Sequence, residues 1–443
     1  MARSLLIAAC IAIFIQSPMY SQTAAPSPMV SDAELKFVVY FSRHGVRSPT
    51  GKPGQYEKYS SAPWPVWNVP PGNLTEHGYH LMELFGAYDR IVLAHQGLLS
   101  TTGCSDASKI TIYADSDQRT RETGNALAKG LFPGCDVPVS SKPEGTNDSL
   151  FHLSPAAIAH ADTGLAAAAV QGRMGGSPDN LTVAYHPQLA AFDSILQTCG
   201  KTDSTQTKRT SLFDIPATLS AGQGDHLVEL HGPLNTASTL AENLLLEYTE
   251  GMDRSNVGWG CVDGSSIRTL INLHTAATDF AQRTPAIASM QASKLLEQIH
   301  QALQQAVEQH PIAGAPNKST DRALFLVGHD TNLLNMAGAL NLNWIADGRR
   351  DDTAPGSTLI FELWRRHSLS GPGSYVVKIY FSVQTLEQMR SSESLTLDSP
   401  PQRVPVFILG CSNADFSCTW PSFSQVLRRA SVPIQSKKAE THR

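Results

Sequence analysis

Three short runs in this chain bring together residue types suited to handling phosphate. They are Arg43-His44-Gly45-Val46-Arg47, Asp115-Ser116-Asp117-Gln118-Arg119 and Gly328-His329-Asp330-Thr331-Asn332. Arg offers several fixed donors that match phosphate oxygens, and His can attack phosphorus as a nucleophile. Phosphate monoesters hydrolyse extremely slowly unaided, so a catalyst must neutralise charge on the transferring group. Three guanidiniums would do so without a metal. They would also favour the neutral form of His44 and keep its lone pair available in acid. Asp330, beside a bound phosphate anion, is expected to hold its proton and donate it to a leaving alcohol. Each run alone is weak, because Arg-His pairs are often solvated and Asp before a helix is often an N-cap. The combination is far more specific than any member.

The elements that must position these runs are legible as an α/β alternation from about residue 35. Leu35 to Phe41, Ile110 to Ala114 and Leu324 to Val327 are short apolar runs of strand type, and each immediately precedes one of the three motifs. Leu81, Leu84, Phe85, Tyr88, Ile91 and Val92 recur at helical spacing, as do Leu295, Leu296, Ile299, Leu303 and Val307. Helices are also expected over Asp117 to Leu131 and Thr331 to Leu340, and strands over Thr358 to Leu363 and Tyr375 to Val383. In open α/β sheets, ligands bind outside the carboxyl ends of the strands. Two His, three Arg and one Asp are therefore expected at one mouth. Between 151 and 271 the chain reads as Ala-rich helical pieces with few strands. The expected fold class is α/β, a central mostly parallel sheet flanked by helices. The expected domains are an α/β unit over 33–150 and 272–443 and a mainly helical insertion over 151–271.

Composition sets the outer bounds. The 443 residues are 41% apolar and 16% charged, which matches neither a disordered nor a coiled-coil chain. A net charge of −5 argues against nucleic acid as a partner. No segment reaches the roughly 18 apolar residues of a membrane span. Residues 1–21 read as a secretory signal, with Arg3 before the apolar run Leu5 to Ile15 and small residues after it. Ile7-Ala8-Ala9-Cys10 also resembles a lipoprotein box, with an unusually short apolar stretch before the cysteine. The expected location is periplasmic or secreted, with no membrane association after cleavage. Loss of Cys10 would leave six of the seven cysteines, an even number that suggests disulfides in an exported protein. Cys411 and Cys418 are close neighbours, Cys104 and Cys135 flank a strand-plus-helix unit, and Cys199 and Cys261 remain. Spacing alone leaves fifteen pairings open, as well as free thiols.

Arg43 to Thr50 resembles the RHGxRxPT signature of the histidine acid phosphatases, the phytase-containing branch of the histidine phosphatase superfamily. Gly328 to Asn332 resembles that branch's distal His-Asp motif, and Asp115 to Arg121 the segment supplying a third phosphate-binding Arg. Leu74-Thr75-Glu76-His77-Gly78 is similar to its Leu-Thr-x-x-Gly helix start. The likeness runs from about Leu35 to Val426. It implies that His44 is the nucleophile, that Asp330 is the proton donor, and that Arg43, Arg47, Arg119 and His329 bind phosphate. It further implies substrate contacts from Thr50, Lys52, Asp115, Arg283 and Thr331. Phytases of the family often have Lys directly after the signature Thr, whereas here Gly51 stands there and Lys52 follows. The implied activity is metal- and cofactor-free hydrolysis of a small phosphomonoester by a monomer, with phytate as the expected substrate and glucose 1-phosphate as the alternative. Two rival readings remain: a metal-dependent phosphohydrolase, for which His77 and His80 are the only tight extra pair, and a non-catalytic phospholigand-binding module.

Overall fold

The structure, a computed structural model, describes residues 33–52, 54–200, 209–367 and 373–431. The signal reading at 1–21, Cys10 and the chain beyond 431 lie outside the described residues. Strand β1 (Ala33–Arg43) leads through the first motif to α1 (Glu76–His95), and β2 (Ile110–Ala114) through the second to α2 (Gln118–Leu131) and the short β3 (Val139–Ser140). Helices α3 (Pro155–His160), α4 (Thr163–Arg173), α5 (Asp179–Ala184) and α6 (His186–Thr198) follow. Next come a hairpin of β4 (Thr218–Ala221) and β5 (Val228–His231), then α7 (Pro233–Thr249), α8 (Gly264–Ala281) and α9 (Pro285–Glu308). Strand β6 (Ala323–Gly328) runs straight into α10 (Asp330–Leu340). The chain ends with a small hairpin β7 (Ile345–Ala346) and β8 (Arg349–Arg350), long strands β9 (Thr358–Arg366) and β10 (Ser374–Val383), α11 (Leu386–Ser391), β11 (Gln402–Val406), β12 (Ser417–Thr419) and α12 (Trp420–Ala430).

The main sheet is mixed, in the order β11-β10-β9-β1-β6-β2-β3, with β12 also on β10. Its central strands β1, β6, β2 and β3 are parallel, and β9 to β12 extend it antiparallel. Strand β1 is buried on both sides because its apolar run feeds two cores in alternation. Phe37, Val39 and Phe41 face the core built with α7 to α10 and α12. Val38 and Tyr40 face the core built with α1 and α2. Strand β6 divides in the same way, Leu324 and Leu326 to the first core and Ala323, Phe325 and Val327 to the second.

Residues 151–271 contain helices and the β4–β5 hairpin, whose strands had no clear signal in this polar stretch. The expected boundary at 271/272 falls inside α8, which runs unbroken from Gly264 to Ala281. Phe151, Leu189, Phe192 and Leu240 belong to the same apolar cluster as Phe41 and Leu326 of the sheet. Three disulfides join Cys104 to Cys135, Cys199 to Cys261 and Cys411 to Cys418. Among the described residues, no helix is long and apolar enough to cross a membrane.

Candidate active site

Parallel pairing aligns the ends of the three strands that carry the motifs. Arg43 at the end of β1 pairs with Gly328 at the end of β6, and Ala114 of β2 pairs with Val327. The chain then leaves each strand still tied to its neighbour: the His44 amide donates to Gly328 O at 3.0 Å, and the Asp115 amide to Val327 O at 2.9 Å. The first motif is also clamped against the start of α1. Thr75 caps this helix, accepting from the Gly78 amide at 2.8 Å, while its own amide donates to Val46 O at 3.1 Å. Contact here is so close that a Cβ on Gly78 would lie 2.1 Å from Val46 O. The Leu-Thr-x-x-Gly run thus acts as a seat for the Arg-His loop.

His44 is 2% exposed, and its Nδ1 donates to Gly45 O at 2.8 Å. A carbonyl only accepts, so Nδ1 carries the hydrogen and Nε2 the lone pair. Burial first, then the guanidiniums of Arg119, Arg43 and Arg47, push this imidazole well below its ordinary pKa. Together these give a neutral ring with one fixed tautomer. His44, Arg47, Arg119, His329, Asp330 and Thr331 line one cavity of about 220 Å³, and Arg43 lies buried beneath it, 3.3 Å from Asp330 Oδ2. Thr50 and the Arg119 guanidinium both border Gly72.

His329 caps α10, and Asn332 locks the turn by accepting from the His329 amide at 3.0 Å and donating to Phe151 O at 2.7 Å. His329 Nε2 donates to Asp115 Oδ2 at 2.6 Å, and its Nδ1 accepts from Arg119 Nη2 at 3.3 Å. Asp115 is therefore a fully buried anchor behind the pocket, also accepting from the Ser116 amide at 2.7 Å and from His152 Nε2 at 2.8 Å. Burial would raise its pKa, but the bonds from His152 and His329 outweigh this and hold it below the usual carboxylate range.

At Asp330 the protein's own groups act in the opposite sense to the phosphate anion expected beside it. Burial raises its pKa, but Arg43 first, then His274 and Arg47, outweigh burial, so the protein's own groups hold it ionised. Any proton it donates must be retained with the help of the phosphate anion, whose charge offsets those cations. Lys52 and Arg283 are not brought to this cavity. Lys52 borders an aromatic cleft of about 280 Å³ with Tyr56, Trp64 and Trp67. Arg283 is buried, its guanidinium captured by Asp351 (3.1 Å), Asn343 Oδ1 (2.9 Å) and Leu342 O (2.5 Å). Asp279, four residues earlier in α8, also lies 3.7 Å from it, whereas Asp351 comes from a loop distant in sequence and gave no local signal. Gly51 also has a local reason: a Cβ there would sit 2.4 Å from the Tyr56 ring, which occupies the room a Lys side chain would need.

Sequence reasoning missed four neighbours. Glu242 of α7 accepts from Arg43 Nη2 at 2.5 Å and from Arg47 Nη2 at 3.3 Å. His274 of α8 is 8% exposed, with Nδ1 3.0 Å from Ser238 Oγ. His152 and Asp225 line the cavity itself. Glu242 had a usable signal, an acid set among the buried Leu240, Ala241, Leu244 and Leu245 of an apolar helix. His152 and Asp225 sit in irregular chain and had none.

Among the described residues, two clusters bring three His or carboxylate ligand atoms within 4.8 Å of one another: Asp115-His152-His329 and Glu242-His274-Asp330. In the first, both Nε2 atoms are spent as donors to Asp115. In the second, both carboxylates are paired with Arg43. Both read as hydrogen-bonded arrays around an anion pocket. His77 and His80 do not form a ligand pair. His77 Nε2 donates to Met389 O at 2.8 Å, and His80 is exposed.

Comparison with known proteins agrees with this geometry. The chain is 35% identical over 417 residues to Phytase AppA of Escherichia coli, covering 92% of this chain and 94% of the relative. It is 29% identical to a glucose-1-phosphatase of Salmonella typhimurium, covering 97% of this chain and all of the relative. The structure of a Hafnia alvei phytase in complex with myo-inositol hexakis sulphate superposes with a TM-score of 0.80 at 33% identity, covering 91% of this chain and 98% of that one. Residues 34–382 match the model of the histidine phosphatase superfamily, branch 2. An arginine-walled pocket around a neutral, single-tautomer histidine, at the carboxyl edge of a matching sheet, is thus explained by descent: this chain belongs to branch 2 of the histidine phosphatase superfamily.

Proposed function

We propose that this protein is a phosphoric monoester hydrolase in which His44 attacks phosphorus, with inositol hexakisphosphate as its preferred substrate. The observation that carries the reading is the state of His44, whose Nδ1 is tied to Gly45 O and whose free Nε2 serves a cavity walled by Arg47 and Arg119. In the first step Nε2 forms a bond to phosphorus as the ester P–O bond breaks, and Asp330 passes its proton to the departing alcohol. In the second, the Asp330 carboxylate takes a proton from water, whose oxygen displaces His44 from phosphorus. Arg43, Arg47 and Arg119 neutralise the charge that gathers on the phosphoryl oxygens. Thr50 and Thr331 are assigned to substrate contact, and Asp115 to holding His329. Three disulfides suit an oxidising compartment, in keeping with export through residues 1–21.

The phytate assignment draws on the phytase relatives and on the cationic pocket, since each further phosphate gains from nearby cations. The glucose-1-phosphatase relative, and the absence of Lys52 and Arg283 from the cavity, favour the second reading, a sugar phosphatase. Comparing kcat/KM for phytate, glucose 1-phosphate and an aryl phosphate at mildly acidic pH decides between them. Phytate is expected to lead, and a tenfold or greater lead for glucose 1-phosphate overturns the phytase assignment.

A further inference from the structure

One histidine in the pocket has no part in the reaction just described. His152 lies in the turn before α3, 29% exposed, and lines the cavity that holds His44 and His329. Its Nε2 meets Asp115 Oδ2 at 2.8 Å and its Nδ1 meets Asp225 Oδ2 at 3.1 Å. A neutral imidazole has one N–H and cannot donate to two carboxylates. The ring is therefore an imidazolium, and the bonds to Asp115 and Asp225 raise its pKa to about 10. Asp115 Oδ2 also takes the 2.6 Å bond from His329 Nε2. A carboxylate so placed would normally pull a second proton onto His329. Here its charge is already shared with His152, whose ring centre is 5.5 Å from that of His329. The 3.3 Å approach of Arg119 Nη2 to His329 Nδ1 needs a lone pair on Nδ1, which is what a neutral His329 supplies.

We infer that His152 is a positioning residue of this pocket. Through the shared Asp115 carboxylate it fixes the tautomer and orientation of His329, and it leaves His329 to gain a proton only when a phosphate anion arrives. The inference deepens the phosphatase reading and rests on it for its catalytic meaning. The groups facing the pair are Asp115 after β2, Asp225 and its neighbour His226 (3.7 Å) before β5, Arg119 at the start of α2, Asp117, 3.8 Å from His329, Asp330, the next residue along the chain, and His44, whose ring centre is 5.7 Å from that of His329. Asp115, Asp117 and Asp330 favour a proton on His329, Arg119 and His152 oppose it, and the neutral His44 brings no charge. Removing the His152 charge therefore raises the proton affinity of His329. Two like charges about 5.5 Å apart, at an effective dielectric between protein and water, correspond to a shift on the order of one pH unit.

The test is histidine-ring NMR of the full, ligand-free protein, with His329 assigned from the His329→Asn spectrum. His152→Gln keeps a donor for Asp115 but removes the charge, and is expected to raise the His329 midpoint by about one unit. His152→Lys, which keeps the charge, is expected to restore the low midpoint. An unmoved His329 midpoint in folded His152→Gln overturns the inference. So does a wild-type His152 that is neutral at pH 7, a measurement needing no variant. The NMR readout does not require turnover, so failure of the phosphatase reading is recognised separately by loss of phosphomonoesterase activity in the wild type.

Discussion

Replacing Asp330 by Asn removes a proton donor while leaving its place in the fold intact. Asp330 Oδ1 accepts from the Thr331 amide at 2.8 Å, and the Asn side-chain oxygen can keep that bond at the head of α10. Oδ2 lies 3.3 Å from Arg43 Nη2, and with its side chain 18% exposed the carboxyl reaches the cavity. The variant is therefore expected to fold and to bind phosphate, yet be unable to protonate a leaving group. General acid catalysis contributes about 10² to 10⁴ in rate, equivalent to roughly 3–5 kcal/mol of barrier. That full cost should fall on esters whose leaving group departs as an alkoxide, such as phytate or glycerol phosphate. Nitrophenolate departs readily without a proton, so nitrophenyl phosphate should lose about tenfold or less. The assay is kcat and KM for both ester types in wild type and Asp330→Asn at one acidic pH. Equal losses on the two would refute the reasoning and leave Asp330 as a group that orients phosphate.

Two buried carboxyls should contribute stability that is lost as pH rises, because burial raises Glu247 to about 8 against its bond from the Gly258 amide, and raises Glu250 to about 7 against its bond from Thr75. An unfolded Glu ionises near 4.3, so between that pH and about 8 the folded state binds more protons and stability falls as pH rises. Glu247→Gln is expected to flatten the decline of stability across this window, by an amount on the order of 4–5 kcal/mol at pH 8, read as Tm against pH, and an unchanged slope would contradict the assignment. Replacing Cys199 and Cys261 by Ser opens a cross-link spanning 62 residues. The chain-entropy model puts the cost at about 4 kcal/mol, read as a lower denaturation midpoint under non-reducing conditions, and no change would mean the bond is not formed.

Much of the site was legible because its parts sit where strands end. The apolar runs at Leu35, Ile110 and Leu324 betray strands, and parallel strands put like ends on one edge, so chemistry placed just after each run converges. Arg43, Asp115 and His329 meet for that reason. What could not be read depends on long-range placement. Glu242 reaches the arginines from α7, and His152 reaches Asp115 from irregular chain, with no periodic pattern to announce either contact. Arg283 does not line the cavity, because folding hands it to Asp351, Asn343 and a carbonyl. The ionised state of Asp330 in the free protein likewise follows from long-range placement, with Arg43 and Arg47 of the first motif and His274 of α8 gathered around its carboxyl.

The claim on which the account stands is that His44 carries the phosphoryl group. Rapid acid-free quenching with phosphorus-labelled substrate, followed by peptide mapping, tests it directly. The expected result is one acid-labile phosphohistidine per chain, located at His44, formed fast enough to account for turnover and absent from a folded, inactive His44→Ala variant. Label on another residue, or substantial turnover by His44→Ala, would contradict the account.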